Sequence, residues 1–368
     1  MADLSPLSPP VLPDWFKGTA LASDNSATYQ QALASPLRKE IWKYTPVGKI
    51  LELSTLTAER PTLGGDQQDG VTIADQPDTD LTDIFSINRA PEAFTFLCQQ
   101  PLLYINVAAS LTEPLHLMHN ASSWPIVINV AAGANMTLTE EFSSDLDQQQ
   151  TIWLRLGRDA QVTHGRNSLS STPNHWQFLS VQINAGGHYS LHNHAVASSL
   201  RRQDTQIQLC GDGASAKLCG AAMVPQRGNL DQQVTMEHLS ANTTSQQTFN
   251  NIVADRGKST FNGRIHIHAG ARNSNANLSN KNIGLGANAT INTKPELEIY
   301  NDDVSCSHGA TIGQLDNDQL FYLCSRGVDP NAARQLLCEG FLQQCIGGPL
   351  AESASSGLLE PLQGLDIQ

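Results

Sequence analysis

The chain has 368 residues, 40% of them hydrophobic, which is enough for one large domain with appended pieces or for two or three domains. Its formal charge of -13 argues against a nucleic-acid partner, because phosphate binding requires clustered positive charge. No stretch approaches the roughly 18 apolar residues of a membrane helix, and the start lacks a secretory-signal pattern. The 7 cysteines are scattered without CxxC spacing, so we expect a cytoplasmic protein with no membrane partner.

The first predicted region, residues 1–92, is helical or irregular. Four prolines keep its first residues extended, and Asn25 with Ser26 are candidates to cap a helix through Tyr29, Leu33 and the segment RKEIWKY. A polar GGDQQDG segment at 64–70 then predicts a loop or linker.

Short runs of alternating apolar and polar residues dominate residues 93–313 and predict β-strands. The runs are FTFL, LLYINV, LHLM, PIVINV, MTLTEEF, IWLRL, WQFLSVQI, TQIQLC and FNGRIHIH. A glycine-rich turn recurs between them, and aligning Ala134, Ala160, His188 and Ala214 gives steps of 26, 28 and 26 residues. A repeat of this length, made only of strands and turns, is typical of a β-helix or β-solenoid.

Two further features bear on this architecture. Asn273, Asn275, Asn277, Asn280 and Asn282 suit left-handed turn positions and stacked turn ladders. A β-sandwich is the alternative fold, because many short strands joined by glycine turns also suit it. A solenoid exposes unpaired strand edges at its ends, so we expect helical regions on both sides to cover them.

Residues 314–368 change to a helical pattern. The segment from Asp316 to Arg326 begins with aspartates that can cap a helix, and it stops at Gly327. Asp329 and Pro330 then start a second helix. Its apolar stripe is Ala333, Leu336, Leu337, Phe341 and Cys345. This two-helix tail either packs on the end of the solenoid or is offered to a partner, and the sequence leaves both open.

The stretch from Lys294 to Gly313, KPELEIYNDDVSCSHGATIG, holds most of the candidate chemistry. Side chains alternate along a strand, so Cys306 and His308 share one face, and thiolate and imidazole suit iron, zinc or copper. The competing interpretation is a small buried cysteine beside a surface histidine. Same-face neighbours lie about 6 to 7 Å apart at the backbone, which disfavours a catalytic Cys–His pair.

Four carboxylates precede that pair in the same stretch. Glu296 and Glu298 share a strand face that either holds a cation or is solvated, the second being the stronger expectation. Asp302 and Asp303 are expected in the turn that follows, where their role is local to the backbone.

Two H-x-H pairs, His192/His194 and His266/His268, each place two imidazoles on one strand face. A structural or exposed role is the stronger expectation for both, because neither pair has an adjacent Asp or Glu to orient the rings. The chain lacks GxxxxGK[ST], GxSxG and HExxH motifs, which removes the corresponding nucleotide-binding, hydrolase and metalloprotease signatures.

These residues resemble the SufB/SufD family of the SUF iron–sulfur cluster assembly system. The resemblance is densest between Lys294 and Gly313, in EIY, DDV and CSHGAT, and it continues through QLFYL and SRG to the last helix. PLHLMH, NGRIHI and RKEIWKYTP are similar as well, so it covers most of the chain, more loosely in the first ninety residues. The SufD branch fits better, because SufB-type chains carry a cysteine in the strand that here reads NANLSN, and none occurs between 220 and 305. Ser305 stands where the family motif usually has lysine.

The resemblance implies a right-handed parallel β-helix flanked by helical N-terminal and C-terminal regions. It implies a non-enzymatic scaffold or adaptor that pairs with SufB through the late strands. His308, with Cys306 beside it, is then expected at that interface in iron acquisition or nascent cluster assembly, without a stably bound cofactor. The SufC ATPase is expected on the C-terminal helices, at Leu320, Phe321, Tyr322, Arg326, Ala333, Leu336, Leu337 and Phe341.

Two other functions stay open from the sequence. Paired carboxylates on a solenoid also suit a carbohydrate-active β-helix enzyme, a polysaccharide lyase or hydrolase, although an aromatic content of 6% is low for sugar stacking. A homodimeric adaptor without a metal role is the plainer alternative.

Overall fold

Two β-sheets enclose the core in the computed structural model, which describes residues 42–45, 53, 58–75, 101–170, 173–197 and 199–363. The strands are β1 Thr62–Gly64, β2 Val71–Ala74, β3 Leu103–Val107, β4 Leu115–His119, β5 Ile126–Val130, β6 Asn135–Phe142, β7 Gln148–Leu156, β8 Gln161–Ser168, β9 Asn174–Ile183, β10 His188–Val196, β11 Leu200–Leu209, β12 Ser215–Val224, β13 Asn229–His238, β14 Thr244–Ala254, β15 Lys258–Ile267, β16 Ser274–Leu285, β17 Thr290–Ile299 and β18 Val304–Gly313. Three helices follow, α1 Asn317–Ser325, α2 Pro330–Gln343 and α3 Ala351–Gln363.

The strands alternate between two nine-stranded sheets. Sheet A has the order β1-β4-β6-β8-β10-β12-β14-β16-β18, and sheet B has the order β17-β15-β13-β11-β9-β7-β5-β3-β2. From β3 onward each strand pairs in parallel with the strand two positions later in the chain. At the N-terminal end, β1 pairs antiparallel with β4 and β2 pairs antiparallel with β3. The predicted parallel β-helix is confirmed, and the sandwich is excluded because sandwich sheets are antiparallel.

Stacked apolar side chains form the core between the sheets. Equivalent positions of successive coils are in direct register, so an apolar side chain of one coil stacks on an apolar side chain of the next coil along the solenoid axis. One such stack in sheet B is Ile128, Leu154, Val181, Ile207, Met236, Ile265 and Leu297. Each of these side chains contributes roughly 1.5–3 kcal/mol when fully buried, so the solenoid is stabilised coil by coil.

A column of hydrogen-bonded polar side chains also runs through the interior. Its members are Gln177, Asn193, Gln203, Gln232, Asn251, Asn280, Asn282 and Thr293, joined at 2.7–3.3 Å. A buried amide is costly unless it is hydrogen-bonded, so each side chain in the column depends on the coils above and below. The turn positions predicted for Asn280 and Asn282 are therefore wrong, because both lie inside β16 and face this column.

One turn of each coil has a residue with left-handed backbone. The positions are Gly133, Asp159, Gly186, Gly213, Asn242 and Asn273, with φ between 54° and 71°. Each N–H donates to a carbonyl in the next coil, and Asn273 Nδ2 also donates to Asn242 Oδ1 at 2.6 Å. The predicted turn ladder is confirmed at Asn273, but Asn275 and Asn277 lie in β16.

The register corrects the predicted repeat by one residue. Ala134, Ala160, Gly187 and Ala214 are the equivalent positions, since His188 pairs with Gln161 and not with Ala160.

The C-terminal tail begins as predicted. Asp316 caps α1 by accepting from two backbone N–H groups, and Asp329 does the same for α2, which has proline in its first turn. Helix α3 was missed, because its serines, Gly357 and Pro361 are poor helix formers. Tertiary packing outweighs that propensity.

The two last helices cover the outer face of sheet A. Buried side chains of α2 and α3 pack against outward residues of β10, β12, β14 and β16. They are Cys338, Leu342, Cys345, Leu358 and Leu362 from the tail, and Val196, Ala221, Met223, Ile252, Ala254 and Leu285 from the sheet. The tail thus packs on the side of the solenoid, and the expectation that it covers the last strands is wrong.

Parts of the first ninety residues also contact the β-helix. The Trp42 ring lies 3.7 Å from the Arg202 guanidinium, and Thr45 donates to the buried Asp231. Strands β1 and β2 add to the two sheets, so they extend the solenoid on the N-terminal side of the predicted boundary at 92/93, which stays a prediction. The helix predicted after Asn25 and the FTFL strand lie outside the described residues. Among the helices that the structure describes, none has the length and apolarity required to cross a bilayer.

Candidate functional site

Strand β18 carries the predicted Cys306–His308 pair at the edge of sheet A. Val304 and Cys306 are half-buried and pack against the core, whereas Ser307 faces the other way and accepts a hydrogen bond from Asn277 at 2.7 Å. His308 is in register with core-facing Leu278 but is exposed, because β18 is the last described strand of its sheet. The predicted alternation of this strand is confirmed.

The environment of Cys306 favours the thiol over the thiolate. Partial burial raises the pKa of the Cys306 thiol, and a backbone hydrogen bond with Ala276 only partly offsets that effect. Metal binding requires the thiolate, so the isolated strand is a weak ligand for a metal. Within the described ranges, no third His, Cys, Asp or Glu joins Cys306 and His308 into a three-ligand group. The pair has the composition of half a metal site.

The neighbouring carboxylates are engaged in ion pairs. Both oxygens of Glu298 accept from Arg264, at 3.0 and 2.5 Å, and this hydrogen bonding lowers the Glu298 pKa. Glu296 lies 2.5 Å from the Lys294 ammonium. Both glutamates of the face predicted to be solvated are thus ion-paired within the protein. This pairing disfavours Glu296 and Glu298 as the two free carboxylates that glycoside hydrolysis requires.

The turn between β17 and β18 contains Asp302 and Asp303, as predicted. The Asp303 N–H donates to Asn301 Oδ1 at 2.9 Å, and its carbonyl accepts from Asn273 in the preceding coil at 2.6 Å. These contacts fix the backbone conformation just before β18, and they involve the backbone groups of Asp303.

The first H-x-H pair lies under the tail. His194 is buried, its Nδ1 is 2.8 Å from Asn167 Oδ1, and its Nε2 accepts from the Gly347 N–H at 3.5 Å. Burial is the main cause that lowers the His194 pKa to about 4. These contacts agree with the structural role predicted for His192 and His194.

The second H-x-H pair meets a carboxylate that the sequence did not suggest. His266 of β15 is the direct register partner of Glu237 on β13, and His268 Nε2 lies 2.6 Å from the Glu237 carboxylate. The acid is not adjacent in sequence but lies one coil earlier, 29 residues before His266. The predicted steps of 26 and 28 residues do not align these two residues, so the sequence pattern did not reveal the contact.

The residues predicted to bind a partner fall into two groups. Phe321, Tyr322 and Leu336 are exposed by 75%, 57% and 50%, and Arg326 lies beside Tyr322. A second set is partly or fully buried: Leu320, Leu337 and Phe341 are half-buried, and Ala333 is fully buried. Helix α1 has no buried residue, so it offers more surface than α2.

The open end of the solenoid exposes apolar side chains that the sequence analysis did not single out. Ile299 and Tyr300 at the end of β17 and Ile312 in β18 are all exposed large hydrophobics. Ile299 and Ile312 lie where a further coil would cover the core, whereas Tyr300 lies on the outer side of sheet B beside His266. The alternating pattern of a strand does not reveal this, because it is the same in an inner coil and in the last one.

Comparisons with known proteins agree with this architecture. Residues 117–341 match the family model described as SUF system FeS cluster assembly, SufBD core domain. The chain is 30% identical over 244 residues to the iron-sulfur cluster assembly protein SufD of Escherichia coli, covering 62% of this chain and 58% of that protein. It is 29% identical over 290 residues to an iron-sulfur cluster assembly SufBD family protein of Synechocystis, covering 73% and 63%. For the protein ABCI7, chloroplastic, of Arabidopsis thaliana, identity is 29% over 233 residues, covering 60% and 48%. The matches thus span between 48% and 63% of the length of these relatives.

Proposed function

Because this chain belongs to the SufBD family of the SUF iron–sulfur cluster assembly system, we propose that it serves there as a non-enzymatic scaffold subunit. The names of the relatives describe assembly proteins, which fits a role in holding and presenting rather than in turnover. The proposed partners are a SufB-type chain, which pairs with the open end of the β-helix, and a SufC-type ATPase, which binds the C-terminal tail.

The observation that carries the pairing is the uncovered last coil. Strands β17 and β18 are the terminal described strands of their sheets, and Ile299 and Ile312 are exposed beside them. An exposed strand edge has unpaired N–H and C=O groups and accepts a strand from another chain. A homologous β-helix end supplies both matching strand edges and an apolar surface, so pairing there continues the core across two chains.

The chemistry proposed for this interface is the transient handling of iron or of a nascent cluster. Cys306 and His308 supply two of the ligands that such a cargo requires, and the partner chain supplies the others. The pair lies on the open strand β18, where a second chain can reach it. Contact with a partner and a metal lowers the pKa of the Cys306 thiol and thus converts a weak ligand into a strong one.

The ATPase is proposed to bind helix α1 and the exposed side of α2. Phe321 and Tyr322 form an aromatic surface on a helix that contributes no residue to the core, and such surfaces are typical of protein interfaces. Movement of the ATPase would change the geometry of the interface by favouring one arrangement of the subunits, a population shift driven by differential contacts. A cytoplasmic location is part of this proposal, although one of the relatives is a chloroplastic protein.

The pairing is tested by placing a charge on the open end. We expect Ile312→Lys to abolish or strongly reduce co-purification with a SufB-type chain, because a lysine at the interface buries an uncompensated charge. The three chains are co-expressed and the complex is measured by size-exclusion chromatography with light scattering.

Met118→Lys is the matched control, since Met118 is an exposed apolar residue of β4, near the opposite end of sheet A. Unchanged assembly by Ile312→Lys, with the ATPase and SufB-type chains both retained, contradicts pairing through this end. Loss of assembly in both variants points to a general defect of the fold, which circular dichroism of the isolated variants identifies.

A further inference from the structure

A second group of metal-ligand side chains lies on sheet B, the sheet opposite to β18. Glu237 of β13 and His266 of β15 are register partners on neighbouring strands, and His268 follows directly after β15. Met236 and Ile265 precede them and are buried in the core between the sheets. Because side chains alternate, Glu237 and His266 point to the outer face of sheet B.

The three side chains converge on one point. One ligand atom of each lies within 4.8 Å of the others. The Glu237 carboxylate oxygen Oε2 is 3.5 Å from His266 Nδ1 and 2.6 Å from His268 Nε2. Metal–nitrogen and metal–oxygen bonds of about 2.0–2.1 Å in a tetrahedral site separate the ligands by roughly 3.3–3.5 Å. The pair of Glu237 and His266 already has this spacing, and His268 reaches it by a shift of about 1 Å.

The two imidazoles pack against each other and against an aromatic ring. Their rings are stacked, with centroids 3.9 Å apart and planes 20° from parallel, and the Tyr300 ring packs on His266 at 5.3 Å. Arg264, whose charge acts on both Glu237 and His266, also forms a two-point ion pair with Glu298.

The burial of the group leaves one side open. The Glu237 side chain is 4% exposed, whereas those of His266 and His268 are 17% and 32% exposed. The carboxylate is therefore the most deeply buried of the three ligands, and the two imidazoles lie between it and the solvent. Two histidines and one carboxylate with an open position are a ligand set that proteins use for zinc and for non-haem iron.

We propose that Glu237, His266 and His268 bind one divalent first-row transition-metal ion of the Zn(II) or Fe(II) class, with the remaining coordination position open to solvent. The site lies on different strands, and on a different sheet, from Cys306 and His308. It does not depend on the proposed role in cluster assembly, because all three ligands belong to this chain.

The test is metal binding by the purified full-length chain after treatment with a chelator. Zn²⁺ is titrated in competition with a chromophoric chelator, and Co²⁺ is titrated while its visible absorption is recorded. We expect one equivalent per chain and a Co²⁺ spectrum of a low-coordinate site. His266→Ala and His268→Ala should each weaken binding by about tenfold or more, since even residues that only support a ligand change affinity by about 10–100-fold.

Two histidine variants serve as controls. His188 is an exposed histidine of β10, and His308 belongs to the proposed partner interface. His188→Ala and His308→Ala should both keep the affinity of the wild-type chain. Retention in His308→Ala separates this site from the one proposed for assembly, so failure of either proposal leaves the other testable.

Three results overturn the proposal. The first is unchanged affinity in both His266→Ala and His268→Ala, which assigns the cluster a purely hydrogen-bonding role. The second is loss of binding in His308→Ala alone, which assigns the metal to β18. The third result concerns Glu237→Gln, which tests the proposal if the histidine variants fail to fold by circular dichroism, because the amide keeps the shape of the side chain and the acceptor for His268. Metal affinity equal to that of the wild-type chain in folded Glu237→Gln overturns the proposal.

Discussion

The buried carboxylate of Glu140 forms an ion pair inside the β-helix. Glu140 is fully buried in β6, 2.5 Å from the Arg166 Nε and 3.4 Å from His164 Nε2. Burial disfavours its ionisation, but the charge of Arg166, with His164, outweighs burial and lowers the Glu140 pKa to about 2. Alternation from Met136 is enough to place Glu140 inside, and the predicted step of 26 residues in this part of the chain aligns it with Arg166 in the next coil, as the register confirms.

Replacing this carboxylate should strongly destabilise the fold. Glu140→Gln leaves Arg166 buried without its counter-charge, and we expect a loss of about 3–5 kcal/mol in the free energy of unfolding. Urea denaturation followed by circular dichroism measures it. Glu141→Gln, which alters the exposed neighbour in the same strand, is the control and should change stability by less than about 0.5 kcal/mol. Equal stability of the two variants contradicts a structural role for the pair.

The same contact predicts a pH dependence. The folded-state pKa of Glu140 is about 2 against an ordinary value of 4.5, so the unfolded chain binds more protons between these values. The stabilisation from the pair is therefore complete above about pH 4.5 and is lost as the pH falls toward 2. The difference in free energy of unfolding between the wild-type protein and Glu140→Gln should therefore become smaller as the pH falls from about 4.5 toward 2.

At the scale of the element, the turns are more demanding than the strands. Strand positions accept many residues because register and burial select only for size and polarity. In the stacked turns from Gly133 to Asn273 the left-handed position is occupied by Gly, Asp or Asn, which reach positive φ at low cost, whereas Arg227 and Arg256 occupy such positions in other turns. Asn242 adds side-chain bonds along the axis, donating to Asp212 Oδ1 and accepting from Asn273, both at 2.6 Å.

Asn242→Val should destabilise the solenoid by about 1–2 kcal/mol or more, because a β-branched residue is strained at φ 57°. Asn242→Gly is the matched variant: it loses the exposed side-chain hydrogen bonds but keeps the backbone conformation. We expect the valine variant to have the lower urea midpoint. If the glycine variant is equally destabilised, the side-chain ladder and not the backbone conformation determines the stability of this turn.

The elements also show where reading the sequence fails. The caps at Asp316 and Asp329 and the strand segments from LLYINV to FNGRIHIH follow from local patterns, and they were predicted correctly. Strands β8, β10, β12, β13 and β14 were not among the predicted runs. Helix α3 did not follow, because packing of Leu358 and Leu362 on sheet A compensates for its poor composition. The Glu237–His266 contact was missed for a related reason, since coils lengthen along the chain and a fixed repeat no longer aligns their residues.

At the scale of the whole molecule, the solenoid is closed on one side and open at one end. The tail covers the outer face of sheet A, the Trp42 segment contacts sheet B, and the last coil keeps its apolar residues exposed. The sequence motif around Cys306 could be recognised, but a two-ligand pair could not be told from an incomplete site. The position of β18 at the end of its sheet is what supports the proposal that a second chain completes it.

Replacing His308 separates assembly of the subunits from assembly of the cluster. His308→Ala removes an exposed ligand without touching the core, so the complex with SufB-type and SufC-type chains should form normally. Cluster formation on that complex, measured anaerobically by visible absorption and iron analysis, should fall markedly because the interface lacks one ligand. His188→Ala, another exposed histidine of sheet A, should leave both measurements unchanged. Normal cluster formation by His308→Ala would remove the metal role from β18, yet it would leave the scaffold role intact, since pairing depends on the strand edge and its apolar residues.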